Sequence, residues 1–278
     1  MLFLCLAILS SSAISLLMRI SSDKISAKLS MLGVNYLVCT LISAGYCGFE
    51  LLCPGVEGFS TTLLLGFVNG ILFLGGFVLC QWNTQKNGIV LTSIFMKLGL
   101  LVPMVLSVFL FRELPTWTQG IGFFLALAAI LVINLKKESG STSSRWTLPV
   151  MLLMCGGADA MSKVFEVFGT AALSDQFLFY TFAVALILCV LMVLFKKERP
   201  GVRELLFGTA MGIPNFFASK FLLLSLGDLP AVVVFPSFSI ATMLVATLAG
   251  VVLYRERLGK LQWIALAAII AALFLLNI

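Results

Sequence analysis

The feature that most constrains this chain is a succession of apolar runs, each about as long as a membrane is thick, separated by short polar breaks. A helix needs roughly 20 apolar residues to cross ~30 Å of hydrocarbon. Backbone polar groups in lipid are satisfied only within helices or closed barrels. Ten runs are read, over residues 2–18, 30–52, 61–81, 88–111, 117–135, 146–168, 174–195, 203–226, 231–254 and 261–278. They fill the 278 residues and leave no room for a folded soluble domain. The first run has neither a basic start nor a small-residue cleavage site before Arg19, so it reads as a membrane helix and not a signal peptide. Composition agrees: 61% of residues are hydrophobic and 11% charged, against about 25% charged in soluble domains. That excludes a water-soluble enzyme, a disordered chain and a nucleic-acid-binding module. The expected fold class is all-α, a polytopic membrane protein of ten transmembrane helices in a lipid bilayer.

The second half repeats the first. With Glu113 aligned on Glu256, an offset of 143, residues 110–134 fall on 253–277. Apolar matches mean little in such a composition. More telling are Arg112/Arg255, Glu113/Glu256, Gln119/Gln262 and the closing Asn134/Asn277. At nearly the same offset, Gly66 and Gly70 of the third run meet Gly208 and Gly212 of the eighth. Both pairs form a GxxxG face of the kind that lets helix backbones approach closely, and they are expected to be packing seams. The chain is therefore expected to hold two five-helix repeats, residues 1–140 and 141–278. An odd helix number makes successive repeats enter from opposite sides, so the repeats are inverted. That architecture places a binding site near the bilayer midplane between the halves, exposed alternately by rocking.

Leu110-Phe111-Arg112-Glu113-Leu114 with Gln119 and Gly120, and the second copy Leu253-Tyr254-Arg255-Glu256-Arg257-Leu258 with Gln262, resemble the paired signatures of the drug/metabolite transporter superfamily. The likeness is to its ten-helix, two-repeat, EamA-like branch and runs through essentially the whole chain. It is specific for architecture and poor for substrate. It implies a carrier of small metabolites, with the fifth and tenth helices peripheral and the other eight around a cavity. The chain departs from the pattern where Trp263 replaces the equivalent of Gly120. Of the family's usual prolines, Pro103 in the fourth run fits, whereas Pro236 in the ninth falls at another depth.

The net charge of +6 concerns orientation more than partners. Alternate breaks carry Arg19, Lys24 and Lys28; Lys86; Lys136, Lys137 and Arg145; Lys196, Lys197, Arg199 and Arg203; and Arg255, Arg257 and Lys260. The other breaks carry Arg112 alone. Basic loops stay in the cytoplasm, so a multi-pass protein of the plasma (inner) membrane with both termini outside is expected. Trp82, Trp117, Trp146 and Trp263 sit at run ends and read as interfacial anchors.

Ionisable residues inside a span face a bundle interior or watery cavity. Lys97 lies in the fourth run, Asp159, Lys163 and Glu166 in the sixth and Lys220 in the eighth. Asp159, Ser162, Lys163 and Glu166 share one helix face by their i, i+3, i+4, i+7 spacing, with Asp159 and Lys163 in the favourable acid-first order. That strip is either a cavity wall, with Asp159 as a proton or ammonium partner and Lys163 as an anion anchor, or a self-neutralising ion pair. Glu166 is near enough to the helix end to reach headgroups, and Lys220 lies near enough the outer end to snorkel. Lys97 is roughly 14 Å into its helix at 1.5 Å per residue, with no acid at i±3 or i±4; its charge must be met from water, another helix or a substrate. Asn69, Asn215, Tyr36 and Tyr180 complete the substrate-binding candidates, each also readable as a packing residue. Pro214 would free a carbonyl in the eighth run.

Three lysines against one clearly buried aspartate make the expected cavity positive. A small anionic or zwitterionic metabolite, such as an organic or amino acid, is then the expected partner, and a lipophilic cation is disfavoured. There is no Walker loop, so a secondary transporter driven by a proton or substrate gradient is expected. The alternatives are a membrane-embedded lipid-modifying enzyme, for which no triad is present, and a non-transporting membrane subunit. Neither a cofactor nor a metal site is expected: the chain has no His, and its 7 Cys show no CxxC spacing. The assembly expected is a monomer or homodimer.

Overall fold

In the computed structural model the chain is described over residues 1–21, 24–48, 55–87, 89–134, 146–254 and 260–277. Among them it is helical, with no strand. The elements are α1 (Leu2–Ser21), α2 (Lys28–Tyr46), α3 (Phe59–Asn87), α4 (Ile89–Leu98), α5 (Leu101–Phe109) and α6 (Trp117–Asn134). After them come α7 (Thr147–Phe168), α8 (Ser174–Lys196), α9 (Val202–Asp228), α10 (Ala231–Tyr254) and α11 (Lys260–Leu276). Among the described residues, 7 helices are long and apolar enough to span a bilayer; shorter apolar stretches cover Phe95–Phe109, Trp117–Ala129 and Leu266–Leu276. Large side chains such as Phe195 (87% exposed) and Phe274 (68%) lie bare on the surface, which suits lipid and not water.

The fourth run differs from its expectation. It is not one helix: α4 ends at Leu98 and α5 starts at Leu101. Pro103 has no N–H to offer the carbonyl four residues back, and its ring crowds that carbonyl. The chain tightens instead: Gly99, Leu100 and Val102 donate to Met96, Lys97 and Gly99, each three residues back, at 3.2, 3.4 and 3.0 Å. In α9, by contrast, the helix continues through Pro214. The second run stops early, at Tyr46, and Gly48 follows in the left-handed region at φ 60°. Residues 255–259, with the second Arg-Glu pair, lie outside the described residues, as does Cys53.

The described chain divides into two compact units, one of Met1–Leu74 with Met161–Gly227 and one of Gly75–Ala160 with Asp228–Ile278. In the first, α2 packs along α8. Both GxxxG faces are close seams here. A Cβ at Gly66 would fall 2.7 Å from Tyr180 Cβ, and one at Gly70 would fall 2.6 Å from Thr181 O. A Cβ at Gly208 would fall 2.6 Å from Met31 O, and one at Gly212 would fall 2.6 Å from Val38 Cβ. So α3 docks on α8 and α9 docks on α2, each GxxxG helix on the second helix of the opposite sequence half. In the second unit α6 lies along α11, with α10 against both and α5 against α10. Phe123, Ala126, Ile240, Ile269 and Ala272 form its core.

The Arg112-Glu113 pair gains a structural meaning in this unit. Arg112 takes φ 56° to turn the chain after α5. Glu113 then accepts the Val232 N–H at 3.3 Å, capping the start of α10. Asn277, the last position of the repeat alignment, donates to Ser237 Oγ of α10 at 3.2 Å.

Candidate functional site

In the second unit, Lys97 occupies the last turn of α4, where the helix C-terminus favours a cation. Gly99 and Gly156 touch backbone to backbone, with no room for a Cβ at Gly156, so the break after α4 is pressed against α7. This brings Asp159 to Lys97: the carboxylate and ammonium act on each other electrostatically, and both residues are half-buried. Of the sources considered for meeting the Lys97 charge, another helix supplies at least this carboxylate. Elsewhere in this unit, Asn83 of α3 accepts from Asn87 Nδ2 and Thr147 Oγ1, each at 2.7 Å, and donates to the Leu79 and Thr147 carbonyls. No sequence argument had singled out this polar knot.

In the first unit, Lys163 of α7 reaches Glu166 Oε2 at 2.6 Å, with its side chain only 8% exposed. Its ion pair is therefore the i, i+3 one. Ser162 beside it is buried. Lys220 of α9 has defined partners. Its Nζ lies 3.0 Å from Asp175 Oδ1 in the first turn of α8 and 3.3 Å from the centroid of the Tyr46 ring, over its face. Tyr46 stacks on Phe216, Phe217 stacks on Phe221, and Phe221 on Phe3, with centroids 5.3, 5.6 and 6.3 Å apart. Asp175 is held in turn by its backbone, whose carbonyl accepts from Ser43 Oγ at 3.2 Å.

The amide candidates are seam residues with polar partners. Asn215 donates to Asn35 Oδ1 at 3.4 Å, and Cys39 Sγ to the Gly212 carbonyl at 3.2 Å, both across α2 and α9. Asn69 donates to Thr181 Oγ1 at 3.3 Å across α3 and α8. Its Oδ1 and the Thr62 Oγ1 seven residues earlier on α3 are buried without a hydrogen-bond partner among the described residues. Tyr36 is buried in α2, and Tyr180 in α8 meets Phe59 edge-on with centroids 6.2 Å apart.

The excess of positive charge expected from three lysines is corrected by these pairings. Lys163 and Lys220 form ion pairs with Glu166 and Asp175, and Asp159 acts on Lys97 electrostatically. The sequence count did not include Asp175 and placed Glu166 within reach of headgroups. Tyr46, Asn35, Thr181 and Asp175 were missed. The signal available for Asp175 was its place in a helix first turn, which says where an acid is welcome but not whom it meets.

Comparison with known proteins bears on the whole chain. An uncharacterized protein of Haemophilus influenzae is 23% identical, the match covering 98% of this chain and 96% of that one. A protein solved by crystallography superposes with a TM-score of 0.77 at 17% identity, covering 99% of this chain and 94% of the other, so the two share a fold. The model of the EamA-like transporter family matches residues 1–135 and 151–278. With nearly every residue inside those two stretches, this multi-pass, all-helical membrane chain belongs to the EamA-like transporter family.

Proposed function

We propose that the protein is a secondary transporter that moves a small zwitterionic metabolite across the inner membrane by alternating access. The observation that supports the substrate class is the carboxylate of Asp159 acting on Lys97, with Glu166 and Asp175 paired to the other two lysines. A site holding one anion beside one cation is neutral before the ligand arrives. A zwitterion that gives its carboxylate to Lys97 and its ammonium to Asp159 replaces one ion pair by two and leaves no net charge in lipid. A simple anion strands Asp159, and a simple cation strands Lys97; an unpaired buried charge is strongly unfavourable. Amino acids and their close derivatives fit this requirement, and simple organic acids fit it less well. The driving force is a gradient of protons or of the substrate itself.

The transport architecture we infer is two inverted five-helix repeats, residues 1–140 and 141–278, ten spans in all. Its support is the crossed docking of the two GxxxG helices and the pairing of α2 with α8 and α6 with α11, each linking equivalent runs of the two halves. Both termini face outward by the basic-loop bias.

The test is counterflow in proteoliposomes, with a panel of amino acids, their decarboxylated amines and their deaminated acids. Uptake of zwitterions alone, lost in Lys97→Ala and Asp159→Asn while both variants elute as folded protein, is the expected result. Preference for the acids, or full activity in both variants, overturns the substrate assignment.

A further inference from the structure

We propose that Cys80, Met96 and Cys155 form a binding site for a soft monovalent cation, copper(I) or silver(I), in the second unit. The three sulfurs come from three helices. Cys80 lies on α3, Met96 in the last turns of α4 and Cys155 on α7. Cys80 Sγ lies 3.8 Å from Met96 Sδ. The Gly75-Gly76 notch of α3 admits α7 at close range: a Cβ at Gly76 would fall 3.0 Å from Cys155 Sγ and 3.4 Å from the Cys155 nitrogen. Cys80 stands one helical turn beyond Gly76 on the same face, and the two thiols are close enough to act on each other electrostatically. Met154 adds a fourth sulfur at the notch, 2.8 Å from the Cβ position of Gly75.

Ligand type selects the metal. Thiolate and thioether sulfur favour copper(I), and hard cations want oxygen. With metal–sulfur bonds of about 2.3 Å, three coplanar sulfurs stand roughly 4 Å apart, which is the Cys80–Met96 spacing. Zinc would ask for a fourth ligand in a tetrahedron, usually Cys, His or a carboxylate. Binding displaces one proton from each thiol, so the cluster becomes one unit more negative. Lys97, next in the chain after Met96, carries the nearest ammonium in sequence. Asp159, one turn beyond Cys155, faces that same ammonium and acts electrostatically on Cys155. The absence of His and of CxxC spacing excluded the common zinc patterns, but ligands contributed by separate helices carry no spacing signature. This site borders the Lys97–Asp159 pair of the transport reading, but its copper(I) test does not depend on that reading.

The experiment titrates full-length protein in detergent, kept reduced, with copper(I) buffered by bicinchoninate. One copper(I) per chain with sulfur-only ligation in its X-ray absorption spectrum is expected. Cys80→Ser and Cys155→Ser each weaken binding by roughly tenfold or more, and the volume-conserving Met96→Leu weakens it by a smaller factor. Cys5→Ser and Cys189→Ser leave it unchanged. Monodisperse elution and unchanged helical dichroism certify each variant. No copper(I) retained against bicinchoninate, or full retention in the Cys80→Ser, Cys155→Ser double variant, overturns the proposal. Should that double variant not fold, Met96→Leu with unaltered affinity and an unaltered absorption spectrum overturns it instead.

Discussion

Single side chains do two kinds of work here, joining helices and placing charge in lipid. Glu113 caps α10 through the Val232 N–H, so Glu113→Gln is expected to lower stability by about 1 kcal/mol, the usual size of a lost cap, read as a drop in thermal midpoint in detergent. Lys220 combines an ion pair with a cation–π contact. Asp175 is about a third exposed, which dilutes the pair. Lys220→Met should therefore cost only about 1 kcal/mol, and combining it with Asp175→Asn should cost little more, since both act on one contact. The lysines themselves were legible in the sequence, because a charge in an apolar run stands out. Their partners were not, because Asp175 meets Lys220 across 45 residues of chain and two helices. Spacing rules see only neighbours on one helix.

At the scale of elements, small residues decide which helices touch. Gly70 and Gly212 leave no space for a side chain against α8 and α2. Gly70→Val or Gly212→Val should destabilise by roughly 1–3 kcal/mol through overpacking. Gly45 of α2 has nothing within 4 Å of its Cβ position. Gly45→Ala should therefore be neutral, or stabilising by up to about 1 kcal/mol through helix propensity. Thermal unfolding of the three variants side by side checks both statements. The GxxxG pairs were visible in the sequence as seams, but not which helix each would meet. The division of the fourth run at Gly99 went unread because Leu98, Leu100, Leu101 and Val102 are as apolar as any spanning helix. Its cause is local all the same, Pro103 and the carbonyl it cannot serve.

For the whole molecule, the basic-loop bias makes a topological prediction. In a cysteine-free background, Lys24→Cys and Lys196→Cys should react with an impermeant maleimide only after the membrane is permeabilised, and Glu57→Cys should react in intact cells. The opposite pattern would reverse the orientation. Membrane residence and the number of apolar runs follow directly from amino-acid order. Both depend on how many consecutive residues avoid water and on the need to satisfy backbone polar groups within the segment, and each is a local quantity. The duplication is likewise written in the chain, in residues such as Arg112 and Asn134 that recur one half later. Packing alone settled the grouping of helices into units that draw on both sequence halves, and the partner of each membrane-depth lysine. Charge pairing and close approach act between atoms distant along the chain, so they become definite only when the backbone has brought those atoms within a few ångströms.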